Sequence, residues 1–242
     1  MFTKFGLRPE LMKAIEALQF HEPTPVQTEA IPQVLAGRDV LVEGLGDPDW
    51  EVRMQAAEAL GRIGPAWAIG PVSELVGDPI AGVKNEAVIG LRRIGRPLVV
   101  PSLLRALRDE EDPDIGEDAA SALAALFGME AADQLGDLID AGSARRMENW
   151  WRDNANRFDP DRVYDGGQPF SVGRLIDRWM NARPEVTEIL SNELFDWTGQ
   201  RFTGSQRDQA SAWEQWWQTN KHAFRTGRRY FHGRDVDEVW GQ

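Results

Sequence analysis

Three histidines, His21, His222 and His232, and a complete absence of cysteine limit the chemistry open to this 242-residue chain. Without thiols there can be no disulfide, no cysteine–zinc site and no thiol nucleophile. His222 and His232 lie near each other in sequence, but no neighbouring spacing completes a metal triad, so no metal site is expected. No nucleophile elbow and no Gly-x-x-x-x-Gly-Lys-Ser/Thr phosphate loop occurs; the nearest string, Gly77 to Lys84, lacks the ending. The run from Asp109 to Asp118 holds seven carboxylates in ten residues, yet it does not fit a calcium-binding loop and reads as a solvated turn. Carboxylates are so numerous that none stands out as an acid/base dyad. No catalytic residue and no cofactor is expected.

The aromatic residues are the other conspicuous side chains. Eight of the ten tryptophans follow residue 142. Trp213, Trp216 and Trp217 share one helix face and read as a core stripe sealing the end of the chain's packing. The alternative is a stacking surface, because Phe224, Tyr230 and Phe231 interleave with Arg225, Arg228, Arg229 and Arg234, a pattern that can bind single strands. Against it, Asp235, Asp237 and Glu238 follow at once, and residues 143–242 carry 15 basic and 15 acidic side chains.

The elements that carry these residues are repeats. Val52, Ala56, Leu60 and Ile63 return as Val83, Ala87, Leu91 and Ile94, every position displaced by 31. They return again, displaced by 32, as Ile115, Ala119, Leu123 and Leu126. The spacing is one face of an α-helix. Asp47-Pro48, Asp78-Pro79 and Asp112-Pro113 precede the three helices, and Gly64 and Gly95 close the first two. Shorter apolar segments, Val40–Leu45, Val72–Val76 and Val100–Leu107, supply the other helix of each pair. Such pairs bury their apolar faces only by stacking. A longer repeat runs through the last third: Glu148, Trp150, Trp151, Asn154, Phe158, Arg162, Tyr164 and Gly167 recur 66 residues later, from Glu214 to Gly233. Gly142-Ser143 and Gly204-Ser205 stand where helix N-caps are expected. Val172–Met180 and Pro184–Trp197 are expected helices between the copies, continuing the array as divergent units.

The strings DPDWEVRMQAAEALGRIG and DPIAGVKNEAVIGLRRIG closely resemble HEAT repeats, in particular the short type associated with phycobilisome lyases, over residues 40–128. The stretches of the WWxxNxxxF type resemble the ends of bacterial HEAT-repeat proteins. The resemblance implies an all-α fold, an α-solenoid of stacked helical hairpins with an aromatic-rich C-terminal helical region. Lyase activity would rest on fold analogy alone.

Residues 1–42 resemble the start of a DEAD-box RNA helicase, in the string Phe20-His21-Glu22-Pro23-Thr24-Pro25-Val26-Gln27. By that resemblance Gln27 reads an adenine edge and Phe20 packs beside it, with Gln19 in place of the usual Gly and Val26 in place of Ile. The likeness stops near Val42, and no phosphate loop follows, so no ATPase activity is expected. Leu11, Ile15, Leu18, Val26, Ile31 and Leu35 give these residues a second reading, a helical pair capping the array.

Expected organisation is therefore a cap over 1–39, repeats over 40–128 and divergent Trp-rich units over 129–242. Residues 41–142 hold 19 acidic and 8 basic side chains, so nearly all of the net charge of −12 lies there. Such a surface repels nucleic acid and favours a basic partner. The candidate contacts are Glu51, Glu58 and Glu86 with Asp109, Glu111 and Asp114 of the acidic turn. No apolar run approaches membrane-spanning length, and mean hydropathy is −0.45. The opening residues carry acids and read as neither a secretory signal nor a transit peptide, so a cytoplasmic protein is expected. The expected function is a non-enzymatic scaffold or adaptor for a basic protein; the alternative is a helicase-derived, nucleotide- or RNA-related module without ATPase activity.

Overall fold

The computed structural model describes residues 37–108, 112–136, 139 and 142–240. Phe20, Gln27, Asp109 and Glu111 lie outside them, as do residues 1–36 of the expected cap. Three helical pairs come first. They are α1 (Gly37–Leu45) with α2 (Trp50–Ile63), α3 (Ile69–Glu74) with α4 (Ala81–Ile94), and α5 (Val100–Ala106) with α6 (Pro113–Phe127). Then come α7 (Met129–Leu135) and α8 (Ser143–Asn154). The second helix of each pair carries the repeated stripe. Val83, Ala87, Leu91 and Ile94 of α4 are wholly buried, and so are Leu60 of α2 and Leu123 of α6. Val52, in the first turn of α2, departs from the pattern at 40% exposure.

Small residues set how closely these helices approach. A side chain on Gly61 would meet the Gly90 Cα at 2.5 Å, so α2 and α4 touch backbone to backbone. Gly64 and Gly95 end their helices in the left-handed conformation, φ 75° and 72°. The three Asp-Pro pairs serve differently. Asp112 and Pro113 start α6 directly, whereas α2 begins after Asp49, whose carboxylate accepts the Glu51 N–H at 2.9 Å. Asp78 turns back instead and takes a bidentate pair from Arg53, at 2.7 and 3.0 Å, tying α2 to the turn before α4.

The last third contains two copies of one module. In the first, α8 and a 3-10 turn (Ala155–Arg157) lead to a hairpin of β1 (Tyr164–Asp165) and β2 (Gln168–Pro169). In the second, α11 (Gln206–Asn220) and a 3-10 turn (Lys221–Ala223) lead to β3 (Tyr230–Phe231) and β4 (Arg234–Asp235). Between them α9 (Val172–Met180) and α10 (Pro184–Thr198) occupy the expected ranges; α12 (Val236–Trp240) follows the second hairpin. The repeated residues have repeated jobs. Asn154 and Asn220 donate to the carbonyls of Trp150 and Trp216, each at 2.8 Å. The Tyr164 and Tyr230 hydroxyls accept the N–H of Asp159 and Arg225, each at 2.8 Å. Both hairpins turn on two residues with positive φ, Gly166-Gly167 (60° and 78°) and His232-Gly233 (47° and 76°), as a tight primed turn requires.

The N-terminal ends of the module helices differ. Ser205 caps α11 in a reciprocal box with Asp208. Ser143 instead is fully buried and donates to the Leu135 carbonyl, leaving Gly142 as the cap of α8.

The tryptophans pack. Phe127 meets Trp151 and Phe158 at 5.0 and 4.9 Å, joining the first module to the repeat core. Trp213 is 2% exposed and lies edge-on to Phe202 and Trp216 in a second core, built with α9 and α10. Trp217 lies against Gly173, where a Cβ would come within 2.8 Å of its ring. Of the expected stripe, Trp213 lies within this core, while Trp216 and Trp217 are half-buried and pack against it. The last third does not simply add units to the far end of the array. Asp196 of α10 takes an ion pair from Arg62 at 2.6 Å, bringing α10 back to the C-terminal end of α2.

Candidate functional site

Every α-helix leaves its last carbonyls without intrahelical donors. In α6 and α10 the hairpin tips supply them. Gly166 and Gly167 donate to Ala125 and Leu126 at 2.7 and 2.9 Å. In the second module His232 and Gly233 donate to Asp196 and Trp197 at 2.8 and 3.0 Å. The residue before each hairpin tyrosine then reaches a second helix end. Val163 lies against Gly95 of α4, with the Tyr164 N–H on the Gly95 carbonyl at 2.9 Å. Its counterpart Arg229 lies against Gly64 and donates to the carbonyls of Gly61, Arg62 and Ile63.

Arg229 is 3% exposed, and burial pushes its guanidinium down to about 10. It sits 4.2 Å over the Trp197 ring, which stacks on Phe170 at 3.7 Å. A cation held on the negative end of a helix and on an aromatic face needs no carboxylate partner.

These contacts enclose a cleft of about 460 Å³. Its walls are the last turns of α4 (Ile89, Arg92, Arg93), the end of α6 (Ala125, Leu126), the first hairpin, and α10 (Ile189, Asn192, Glu193, Asp196). Trp197 and Arg229 also line it. Most of its charges are matched. Arg178 pairs with Asp165 at 3.2 Å, Arg93 with Glu86 at 3.4 Å, and Arg62 with Asp196. Glu193 differs: it accepts no hydrogen bond from a described residue, and burial holds its carboxyl above the usual range despite Arg178, Arg229 and Arg92 nearby. Ile189 is 66% exposed, although its neighbours are walls of the cleft.

Of the expected contact residues, Glu86 reaches the cleft wall through its pair with Arg93, whereas Glu51 and Asp114 lie at the far ends of their helices. Glu51 and Asp114 stand exposed in the first turns of α2 and α6. Glu58 is exposed on α2, and Glu86 half-buried on α4. Burial raises the Glu86 carboxyl, its ion-pair partner Arg93 takes back part of the rise, and the charge of Glu58 adds a little to it. Glu58 and Glu86 are therefore brought together, while Glu51 and Asp114 mark the outer ends of two helices. Sequence reasoning missed Glu193 and Arg229. The offset of 66 places Arg229 opposite Val163 in the alignment, and that mismatch was the available signal. Among the described residues no group of three or more His, Asp or Glu is placed to hold a metal ion, and no helix is long and apolar enough to cross a membrane.

Comparison with known proteins gives a short helicase likeness, one solved structure and one family model. A 40-residue segment, 16% of the chain, is 48% identical to an ATP-dependent rRNA helicase of Lodderomyces elongisporus. Over the same length it is 58% identical to a probable ATP-dependent RNA helicase of Dictyostelium discoideum. The match, in the Q-motif region, spans only 8% and 5% of those proteins. Among solved structures, human deoxyhypusine hydroxylase in complex with glycerol aligns with 72% of this chain and 65% of its own, at 22% identity and a TM-score of 0.38. The family model for HEAT repeats matches residues 12–88, 38–124 and 70–151, more than half of the sequence. With the stacked pairs α1 to α6 carrying the same stripe, the chain belongs to the HEAT-repeat family.

Proposed function

We propose that the protein is a non-enzymatic HEAT-repeat adaptor, and that the acidic face of its repeats holds a basic protein partner. The observation that carries this reading is the excess of carboxylates at the starts of α2 and α6, where Asp47, Asp49 and Glu51, and Asp112, Asp114, Glu117 and Asp118, stand against Arg53 alone. Repulsion from Glu58 on the neighbouring helix adds to the effect of burial on the Glu86 carboxyl, while Arg93 opposes both. A cationic partner relieves that repulsion, and stacked repeats offer an extended surface for it. Asp114, in the first turn of α6, belongs to the same proposed surface, and so by sequence do Asp109 and Glu111. Residues 1–39 act in this reading as the cap of the array, in keeping with a family match that starts at residue 12.

A pull-down with mass spectrometry tests it, using the full chain and a variant carrying Glu51→Lys, Glu58→Lys and Asp114→Lys. The expected result is a basic partner that salt releases and that the variant does not retain. Recovery of no partner, or of one indifferent to salt and to the reversals, contradicts the reading.

The helicase likeness favours a second reading, a remnant adenine site around Phe20 and Gln27. Missing a phosphate loop, such a site has no means of stabilising phosphoryl transfer. Thermal melts with ATP and ADP separate the two. The adaptor reading expects no shift, whereas a shift abolished by Gln27→Ala would favour the remnant site.

A further inference from the structure

We propose that the cleft between α4 and α10 seats one lysine or arginine side chain of the partner, carried on an extended segment and paired with the Glu193 carboxylate. The inference rests on the adaptor reading and gives it a place on the molecule.

Three carboxylates and four arginines line the cleft; Asp165 is taken by Arg178 and Asp196 by Arg62, while Arg93 is held by Glu86. Glu193 is the third, and no described residue donates a hydrogen bond to it. Arg178 is already paired, and Arg229 is spent on the α2 carbonyls, so both act on Glu193 only through space. Arg92 is exposed in the last turn of α4, where the helix end offsets its charge and water screens it. A half-buried carboxylate without a hydrogen-bonding partner carries a desolvation cost, and an incoming cation offsets it. Two further features favour a cation. The C-terminal ends of α4 and α6 border the cleft at Gly95 and at Ala125–Leu126, where the carbonyls already accept from the first hairpin but the two helix dipoles still favour positive charge. The aliphatic stem of a long basic side chain also has apolar surface to lie on, because Ile89 and Ile189 line the cleft.

The outer face of α10 continues the seat. Val186, Ile189 and Glu193 fall at spacings of three and four, one stripe of the helix. Val186 is 42% and Ile189 66% exposed, so two uncovered apolar residues lead to one unmatched acid. That row suits an extended segment with apolar residues ahead of its basic one.

The test uses the full chain and short degenerate peptide pools with a fixed central Lys, Arg, Ala or Glu. Retention of the Lys and Arg pools is expected to exceed that of the Ala pool by about tenfold at low salt. Glu193→Gln should bring them to the Ala level. Its melting temperature, expected at or above that of the parent, shows that it folds. Ile189→Ala should weaken retention of both basic pools while leaving the preference over Ala.

Preference for the Glu pool would make this an anion site at Arg92 and overturn the proposal. So would a basic preference that survives Glu193→Gln. If that surviving preference falls instead on Glu51→Lys with Glu58→Lys, the cleft assignment fails and the adaptor reading stands. Equal retention of all pools overturns the cleft assignment too, and the pull-down then decides the adaptor reading separately.

Discussion

The two tryptophan modules share a helix, a 3-10 turn, a tyrosine-anchored hairpin and a tip that covers helix carbonyls, yet they lean on their second helix end in different ways. The first places Val163 against Gly95, an apolar plug beside a backbone hydrogen bond. The second places Arg229 against Gly64, where one guanidinium serves three carbonyls and covers Trp197. The difference teaches that the module is a frame for closing helix ends, and that the residue before its tyrosine decides how far the closure reaches. A valine reaches only the glycine beside it. An arginine spans from α2 to α10 and becomes the floor of the cleft.

The largest expected effect comes from making the modules alike. Arg229→Val should destabilise the protein by about 3–4 kcal/mol in urea melts, because buried carbonyls of α2 lose their donors. Val163→Ala, which removes only apolar contact, should cost about 1–2 kcal/mol. Equal costs would break the comparison. At the tips, Gly128→Ala and Gly199→Ala both force a side chain into a left-handed position. A Cβ at Gly128 would stand 2.8 Å from the Gly166 carbonyl oxygen, and one at Gly199 would stand 3.2 Å from the His232 Cα. Gly128→Ala should therefore be the worse of the two, both falling at about 1–3 kcal/mol by the same melts. Tyr164→Phe and Tyr230→Phe should cost about 1 kcal/mol each and nearly the same, since each leaves one backbone N–H without its acceptor.

The smallest effect, and one of opposite sign, is expected at Glu193. Burial raises its folded carboxyl above the unfolded value, with Arg178, Asp165, Arg229 and Arg92 as the charges around it. The folded state then binds more protons than the unfolded one between the two values, so stability falls as pH rises through that window. Glu193→Gln should remove this fall, flattening the pH profile of the melt and raising stability slightly at neutral pH. A steeper profile, or loss of stability at neutral pH, would mean that the carboxylate has a partner in solution.

Much of the fold was legible because helical period is a local property. The stripe from Val83 to Ile94, the glycine ends at Gly64 and Gly95 and the bounds of α9 follow from spacing within a turn or two. The 66-residue repeat also showed that Asn154, Phe158 and Tyr164 had counterparts. Their jobs were not legible. Two-residue strands carry no alternation to read, and a hairpin tip that serves a helix from elsewhere in the chain has its meaning only after folding. Arg229 looked like one of several arginines in a basic, aromatic tail; its carbonyl partners lie more than 160 residues away. Glu193 is one acid among 39 acidic residues, and it becomes distinctive only when α4 and the first hairpin close around it.

The central claim is that both modules hold the ends of the helices and so keep the cleft formed before any partner arrives. Amide hydrogen exchange at Gly166, Gly167, His232 and Gly233 tests it most directly, because these four N–H groups make the connection. They sit at hairpin tips, where exposed turns exchange fast. The account predicts that all four are protected as long as the amides of the buried helix α4. Exchange of either pair at the rate of an open turn would contradict it.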